Sequence, residues 1–249
     1  MMKNKLQALP HFFTLSNLFL GFWAILFVSR DNFVLAAVCI IFAGICDDLD
    51  GRVARLTKSF SKFGKELDSL ADSISFGVAP AFLVYQSNFS EIGPWGTVFC
   101  FIFLLSGIFR LARFNVITKG FKKSVYKGLP IPIAAVTIAT FILFADTYFN
   151  TVKIQNVFLI LIPGLSLLMV SSIGYEPIPK INFNRSLKSN IKPLAYFISF
   201  VFIFFFPKQL FFPCVLAYIF NGIIMSLYAL LRADNDAAET QVDEEKIVK

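Results

Sequence analysis

Charged residues and histidine are scarce in this chain of 249 residues. Asp, Glu, Lys and Arg together make up 16% of it, and His11 is the one histidine. A single histidine excludes the histidine-rich sites that zinc and non-haem iron favour, and we expect His11 to be an interfacial residue. The four cysteines lie in apolar runs without C-x-x-C spacing, which predicts buried free thiols. No internal repeat is visible.

Apolar residues dominate instead: 57% of the chain is hydrophobic, and 32 residues are phenylalanine. A soluble domain of this size does not need so much apolar surface. The sequence therefore predicts an all-α, polytopic membrane helical bundle. About eight apolar segments approach the roughly 20 residues that cross a bilayer, and whether the seventh spans fully is left open. They are 11–29, 33–51, 68–87, 95–115, 130–148, 154–172, 193–206 and 209–231.

The positions of the basic residues predict the orientation of this bundle. If the N-terminus is cytoplasmic and every segment crosses, 20 of the 23 Lys and Arg residues face the cytoplasm. Such an asymmetry agrees with the positive-inside rule. It predicts that both termini are cytoplasmic, in the cell membrane. The polar, acidic residues 233–249 show no apolar periodicity and predict a disordered tail, so that residues 1–232 form a single membrane-embedded domain.

Four aspartates stand out between residues 47 and 72. Asp47 and Asp50 are spaced i,i+3, whereas Asp68 and Asp72 are spaced i,i+4. Either spacing places both side chains on one face of a helix. Carboxylates at a membrane edge are costly and mark functional sites, and oxygen ligands suit hard cations such as Mg²⁺ or Mn²⁺. The spacing therefore predicts a divalent-metal site at neighbouring helix ends.

Other residues in the same stretch divide into site candidates and solvated charges. Gly51 and Gly64 leave room for a bulky ligand to approach the backbone. Arg55 offers a guanidinium that suits a phosphate oxygen. Asp48 and Glu66 fall outside the four-aspartate spacing, and we interpret both as solvated.

The stretch as a whole resembles the signature of the CDP-alcohol phosphatidyltransferases. Its pattern, D-x2-D-G-x2-A-R-x8-G-x3-D-x3-D, occupies residues 47–72. The resemblance implies that the four aspartates hold two metal ions and that Asp72 is also the catalytic base. It further implies a set of residues that bind the CDP-lipid, two of them on the first membrane helix: Thr14, Asn17, Gly51, Ala54, Arg55 and Gly64.

Three further stretches resemble the phosphatidylserine synthases within this family: ADSISFGVAPAF (71–82), RLARFNV (110–116) and KGLPIPIAA (127–135). The resemblance implies CDP-diacylglycerol and L-serine as substrates and a homodimer among membrane lipids, with no nucleic-acid partner. The carboxylate of serine needs a cation, for which Arg110 and Arg113 are candidates. Ser75 and Asn115 are weaker candidates for the same pocket. Both arginines also fit membrane-edge anchors that snorkel.

Two alternatives stay open at the level of sequence. Another acceptor, such as glycerol 3-phosphate or an inositol phosphate, would want a denser basic cluster, and Lys119, Lys122 and Lys123 lie near the two arginines. A divalent-cation transporter would also use aspartates. However, transport sites sit near the bilayer midplane, whereas these aspartates cluster at the cytoplasmic end.

Overall fold

A computed structural model describes residues 2–57, 61–117, 126–152, 154–175 and 209–228. These residues are almost entirely helical, which confirms the predicted all-α class. The helices are α1 (Met2–Val28), α2 (Phe33–Thr57), α3 (Lys62–Ile92), α4 (Pro94–Ile117), α5 (Ile131–Phe149), α6 (Gln155–Val170) and α7 (Gln209–Tyr228).

Five of the described helices are long and apolar enough to cross a membrane: α1, α3, α4, α5 and α7. Helix α6 is apolar but shorter, and the apolar part of α2 ends at Asp47, before the roughly 20 residues of a full span. The count of eight spans therefore stays a prediction. The predicted segment 193–206 and the acidic tail 233–249 lie outside the described residues.

Helices α1 and α2 form an antiparallel hairpin that places the start of α1 beside the end of α2. The connection is short, and Asp31 adopts a left-handed conformation there (φ 57°). Asn32 then caps α2, because its Oδ1 accepts a hydrogen bond from the backbone N–H of Leu35 at 3.2 Å. This hairpin brings residues near position 14 of α1 next to the aspartates of α2.

Small residues let the helices approach closely in the core. Ala36, Ala37 and Ala43 of α2 are fully buried, as are Ala134 and Ala135 of α5. Membrane helices often pack through such small side chains, because their backbones can then come near each other. The close packing fixes the position of α2, which carries two of the four aspartates.

Helix α3 is regular only in part. It begins after Ser61, whose Oγ accepts a hydrogen bond from the backbone N–H of Gly64 at 2.9 Å. The α-helical turns end at Asp72, and a wider π-helical segment follows over Ser73–Val78. Such π segments are rare and often occur at functional sites. Asp72 therefore sits at the point where the helix changes its winding.

A short two-stranded ribbon joins the start of α5 to the end of α6. Tyr126 pairs with Tyr175 and Lys127 pairs with Gly174 in antiparallel register. Gly128 follows with φ +85°, a backbone conformation that residues with a side chain rarely adopt. Through this ribbon, the chain before α5 and the chain after α6 meet at the end of the bundle that carries the aspartates.

Candidate functional site

Three of the four aspartates form one cluster where α2 ends and α3 begins. Asp47 and Asp50 come from α2 and Asp68 from α3, and one oxygen of each carboxylate lies within 4.8 Å of the others. Asp50 is buried, and the other two are half-buried. The structure therefore brings together side chains that the helical spacing placed on one face of each helix.

Asp72 lies one turn further along α3 and is not a member of this three-oxygen cluster. Only 6% of it is exposed. It nevertheless lies within electrostatic range of Asp47, Asp68 and Asp50. The fourth aspartate is thus near the cluster but separately placed, which suits a role different from that of the other three.

Helix α1 contributes a neutral hydrogen-bond donor to each of two carboxylates. Thr14 Oγ1 donates to Asp50 Oδ2 at 3.0 Å, and Asn17 Nδ2 donates to Asp72 Oδ1 at 3.0 Å. Thr14 and Asn17 are buried and three residues apart, so they share one face of α1. The structure places both residues at the site, in contact with the aspartates themselves.

The donor set of the cluster fits a divalent cation. Oδ1 of Asp68 is buried and has no hydrogen-bond partner among the residues that the structure describes. A buried carboxylate needs a counter-charge or hydrogen bonds, because burial in a low-dielectric medium strongly disfavours an isolated charge. Three carboxylates meet here with Asp72 nearby, and carboxylate oxygens are the ligands that Mg²⁺ and Mn²⁺ take in proteins.

Two charges of the same stretch lie outside the cluster, as the sequence predicted. Asp48 is exposed and forms an ion pair with Arg52 one turn later, with 2.7 Å between Oδ2 and Nη2. Glu66 is exposed on α3. These two acidic residues provide matched controls for the aspartates, since they share the helices but not the site.

The glycines of the signature lie under neighbouring side chains. A methyl group added at Gly51 would lie 3.6 Å from Nη1 of Arg55, so the guanidinium lies over this glycine. At Gly64 the added carbon would come within 3.0 Å of Cε1 of His11. The sequence interpretation set His11 aside as interfacial. The sequence did contain a signal that His11 lies at the site. His11 comes three residues before Thr14, and this spacing puts both side chains on one face of α1. Ala54, the remaining signature position, is half-buried near the end of α2.

Arg110 and Arg113 of α4 contact different parts of the molecule. Arg110 is 8% exposed and interacts electrostatically with Asp47. Arg113 donates from Nη1 to the carbonyl oxygen of Val170 at 3.0 Å and from Nη2 to that of Ser171 at 3.2 Å. These carbonyls lie at the C-terminal end of α6, where cations are favourable. Of the two arginines, Arg110 is therefore the one that faces the aspartates.

Ser75 and Asn115 each connect two helices beside the aspartates. Ser75 Oγ donates to the backbone carbonyl of Asn17 at 3.0 Å, which joins α3 to α1. Asn115 Nδ2 donates to Ser69 Oγ at 2.9 Å, which joins α4 to α3. Both residues lie at the predicted site, and their observed contacts are between helices.

The family model of the CDP-alcohol phosphatidyltransferases matches residues 7–170, which include all four aspartates and the donors of α1. The chain belongs to this family. The resemblance seen in the signature is therefore confirmed, and so is the expectation that the protein is a transferase of phospholipid biosynthesis in membranes.

Relatives with similar sequences extend beyond the matched region. A CDP-diacylglycerol–serine O-phosphatidyltransferase of Helicobacter pylori is 39% identical over 230 residues, which cover 92% of this chain and 95% of the relative. An archaetidylserine synthase of Methanothermobacter thermautotrophicus is 41% identical over 68% of this chain and 69% of its own. A CDP-diacylglycerol–serine O-phosphatidyltransferase of Methanocaldococcus jannaschii is 39% identical over 71% of this chain and 77% of its own.

Proposed function

We propose that this phosphatidyltransferase makes phosphatidylserine and CMP from CDP-diacylglycerol and L-serine. The names of the three relatives above all specify serine, which supports the choice of acceptor. The observation that carries the transfer chemistry is the meeting of three carboxylate oxygens within 4.8 Å, beside the buried Asp72. Membership of a transferase family leaves the alternative of a cation transporter without support.

The proposed reaction is a single displacement at phosphorus. The hydroxyl oxygen of serine forms a bond to the β-phosphorus of CDP-diacylglycerol, and the bond from that phosphorus to the bridging oxygen of CMP breaks. CMP leaves with the electron pair of the broken bond. Asp72 takes the proton of the serine hydroxyl as general base. Burial of Asp72 beside three other acidic groups keeps it apart from solvent while the acceptor approaches.

We assign the metal site to Asp47, Asp50, Asp68 and Asp72. The cation would be Mg²⁺ or Mn²⁺, and the family resemblance implies that two such ions bind. When bound, it supplies charge neutralisation for the pyrophosphate and for the oxygens of the displacement. Thr14 holds the Asp50 carboxylate by its hydrogen bond and so keeps this side chain turned toward the cluster.

Residues at the end of α2 and the start of α3 are proposed to bind the nucleotide part of the CDP-lipid. Arg55 is exposed there, and its guanidinium provides paired donors for phosphate oxygens. Gly51 and Gly64 have no side chains of their own, so only the movable side chains of Arg55 and His11 stand between their backbone and a ligand. The family resemblance implies a contact with the CDP-lipid for Thr14, Asn17 and Ala54 as well.

For the acceptor, we assign the carboxylate of serine to Arg110, which faces the aspartates from α4. Its burial strengthens a charge-assisted hydrogen bond, because water competes less for it. Arg113, with Ser75 and Asn115, would hold the helices that surround the pocket, because these three side chains bond to neighbouring helices.

We further propose that residues 1–232 form one catalytic domain, a multi-pass bundle in the cell membrane with the aspartates and both termini cytoplasmic. The observed end of the bundle that carries the aspartates is also the end at which α1 begins. Both acyl chains then stay in the bilayer while the headgroup reacts at its rim. The homodimer implied by family resemblance stays a prediction.

The proposed function is tested by CMP release from CDP-diacylglycerol by the purified protein with Mg²⁺ or Mn²⁺. We expect release that depends on L-serine and not on glycerol 3-phosphate. Release with glycerol 3-phosphate alone would overturn the choice of acceptor while leaving the four-aspartate chemistry in place. A protein that releases no CMP with either acceptor would contradict the proposed function.

Replacing each of the two arginines with lysine is expected to change a different property: KM for serine in one case and the free energy of unfolding in the other. Arg110→Lys should raise KM for serine by roughly tenfold or more, because lysine cannot form the paired hydrogen bonds that a guanidinium makes to a carboxylate. Arg113→Lys should leave that KM unchanged and lower the free energy of unfolding by about 1–3 kcal/mol, since it removes charged hydrogen bonds to the end of α6. Serine titrations and thermal unfolding measure the two effects. A raised KM for serine in Arg113→Lys alone would reverse the assignment.

A further inference from the structure

Asn17 is fully buried, and helix α3 holds it at two points. Its side-chain Nδ2 donates to Asp72 Oδ1 at 3.0 Å. Its backbone carbonyl accepts a hydrogen bond from Ser75 Oγ, also at 3.0 Å. Ser75 lies in the π-helical segment that begins directly after Asp72. The turn of α3 that carries Asp72 is therefore tied to a single residue of α1.

The spacing between α1 and α3 at this point depends on Gly21, one turn after Asn17. A methyl group added at Gly21 would lie 2.6 Å from Cα of Ser75, which is too close for any side chain carbon. Because this neighbour is backbone, it has no rotamer by which to move away. Gly21 thus lets the two helices come near enough for Ser75 and Asn17 to make their hydrogen bonds.

The hydrogen bond from Asn17 fixes which oxygen of Asp72 remains for the acceptor. An amide that donates to one carboxylate oxygen restrains the rotation of the carboxylate and leaves the other oxygen to take a proton. The second polar atom of the amide, Oδ1, is buried without a hydrogen-bond partner among the described residues. The orientation of the amide is therefore set by its bond to Asp72 and not by a competing partner.

We propose that Asn17 is a positioning residue for Asp72, held in place by Ser75 and by the close approach at Gly21. Helix α1 then governs the rate of proton transfer through Asn17, where the family resemblance implied a contact with the CDP-lipid. This inference rests on the role of Asp72 as general base in the proposed function. It assigns no contact with substrate to Asn17.

The test separates kcat from KM in variants of α1 and α3. Asn17→Leu keeps the approximate size of the side chain but removes the donor. We expect kcat to fall by roughly 10²-fold, the order that a misplaced catalytic group costs. KM for CDP-diacylglycerol and for serine should stay within about twofold, since an interaction used only in the transition state lowers kcat alone.

Two further variants act on the same contact without touching the side chain of Asn17. Ser75→Ala removes the hydrogen bond to the backbone carbonyl of Asn17. Gly21→Ala pushes α1 away from α3 while changing no polar group. Both should lower kcat in the same manner as Asn17→Leu. Gly44→Ala is the matched control, because a methyl group there would meet Cγ2 of Val136 at an ordinary 3.4 Å. Its kcat should equal that of the unchanged protein.

Several outcomes would overturn this role. An increased KM for CDP-diacylglycerol with unchanged kcat in Asn17→Leu would place Asn17 in the nucleotide site. If Asn17→Leu does not fold, unchanged kcat in both Ser75→Ala and Gly21→Ala would reject the proposal. Turnover by the unchanged protein is measured first. If the unchanged protein shows no turnover, the proposed function is overturned. If the unchanged protein turns over normally and the variants at Asn17, Ser75 and Gly21 have the same kcat, only the role of Asn17 is overturned.

Discussion

Replacing Asp72 with asparagine should lower kcat by roughly 10²–10⁴-fold, the usual contribution of general-base catalysis. Asparagine has the same shape as aspartate but cannot accept the proton of the serine hydroxyl. Binding of CDP-diacylglycerol should change little, because the three carboxylates whose oxygens meet within 4.8 Å, those of Asp47, Asp50 and Asp68, remain in place. CMP release gives kcat, and binding of the lipid to the purified protein, measured without serine, gives the affinity.

Asp48→Asn is the control for this variant. Asp48 is exposed and pairs with Arg52 on the surface of α2, so its loss should leave kcat and lipid binding unchanged. Near-normal turnover by Asp72→Asn would reject Asp72 as the base. Equal loss of turnover in Asp48→Asn would show that the effect comes from net charge at this end of the bundle and not from proton transfer.

Replacing Asp68 with asparagine should weaken the binding of Mn²⁺ by more than about 100-fold, since even the loss of an outer-shell partner typically costs 10–100-fold. Asp68 joins α3 to the two aspartates of α2, and its Oδ1 is buried without a hydrogen-bond partner among the described residues. The change removes one negative charge and one ligand atom. The loss of signal from free Mn²⁺ in electron paramagnetic resonance measures binding without substrate or turnover.

Glu66→Gln provides the matched control on α3. Glu66 lies two residues before Asp68 and is exposed, so the variant removes the same charge from outside the cluster. Its Mn²⁺ affinity should match that of the unchanged protein. Unaltered Mn²⁺ binding by Asp68→Asn would contradict the assignment of the metal site to this cluster.

The sharing of helix faces by the aspartates was predictable from the sequence, because helical spacing is a local property. Asp47 and Asp50 must share a face of α2, and Asp68 and Asp72 must share a face of α3, wherever those helices lie. The all-α class followed in the same way from apolar composition. That the two faces meet depends on the packing of α1, α2 and α3, for which the family signature supplied the expectation and the structure supplied the distances.

The contacts between helices were not predictable from spacing. Arg110 and Arg113 are three residues apart, and the sequence grouped them in one pocket. In the structure, Arg113 lies near the end of α4, where the carbonyls at the C-terminus of α6 accept its hydrogen bonds. No local sequence pattern predicts that α6 ends beside α4. The same limit applies to Asn17, because its partner Asp72 lies 55 residues away on another helix.

The π-helical segment of α3 also lacked a signal in the sequence. Residues 73–78 read as part of one continuous apolar segment, since hydrophobic periodicity does not distinguish an α-helix from a short π-helical insertion. The wider winding matters for the site because Ser75 reaches Asn17 from this segment.

The most direct test of phosphatidyl transfer to serine through the aspartate site is the transfer of isotopically labelled L-serine into lipid. Purified protein in vesicles containing CDP-diacylglycerol is incubated with labelled serine and either Mg²⁺ or EDTA. Our account predicts labelled phosphatidylserine in the lipid fraction, formed one-for-one with CMP and lost with EDTA. CMP release with all of the label left in the aqueous phase, or labelled lipid formed at the same rate in EDTA, would contradict it.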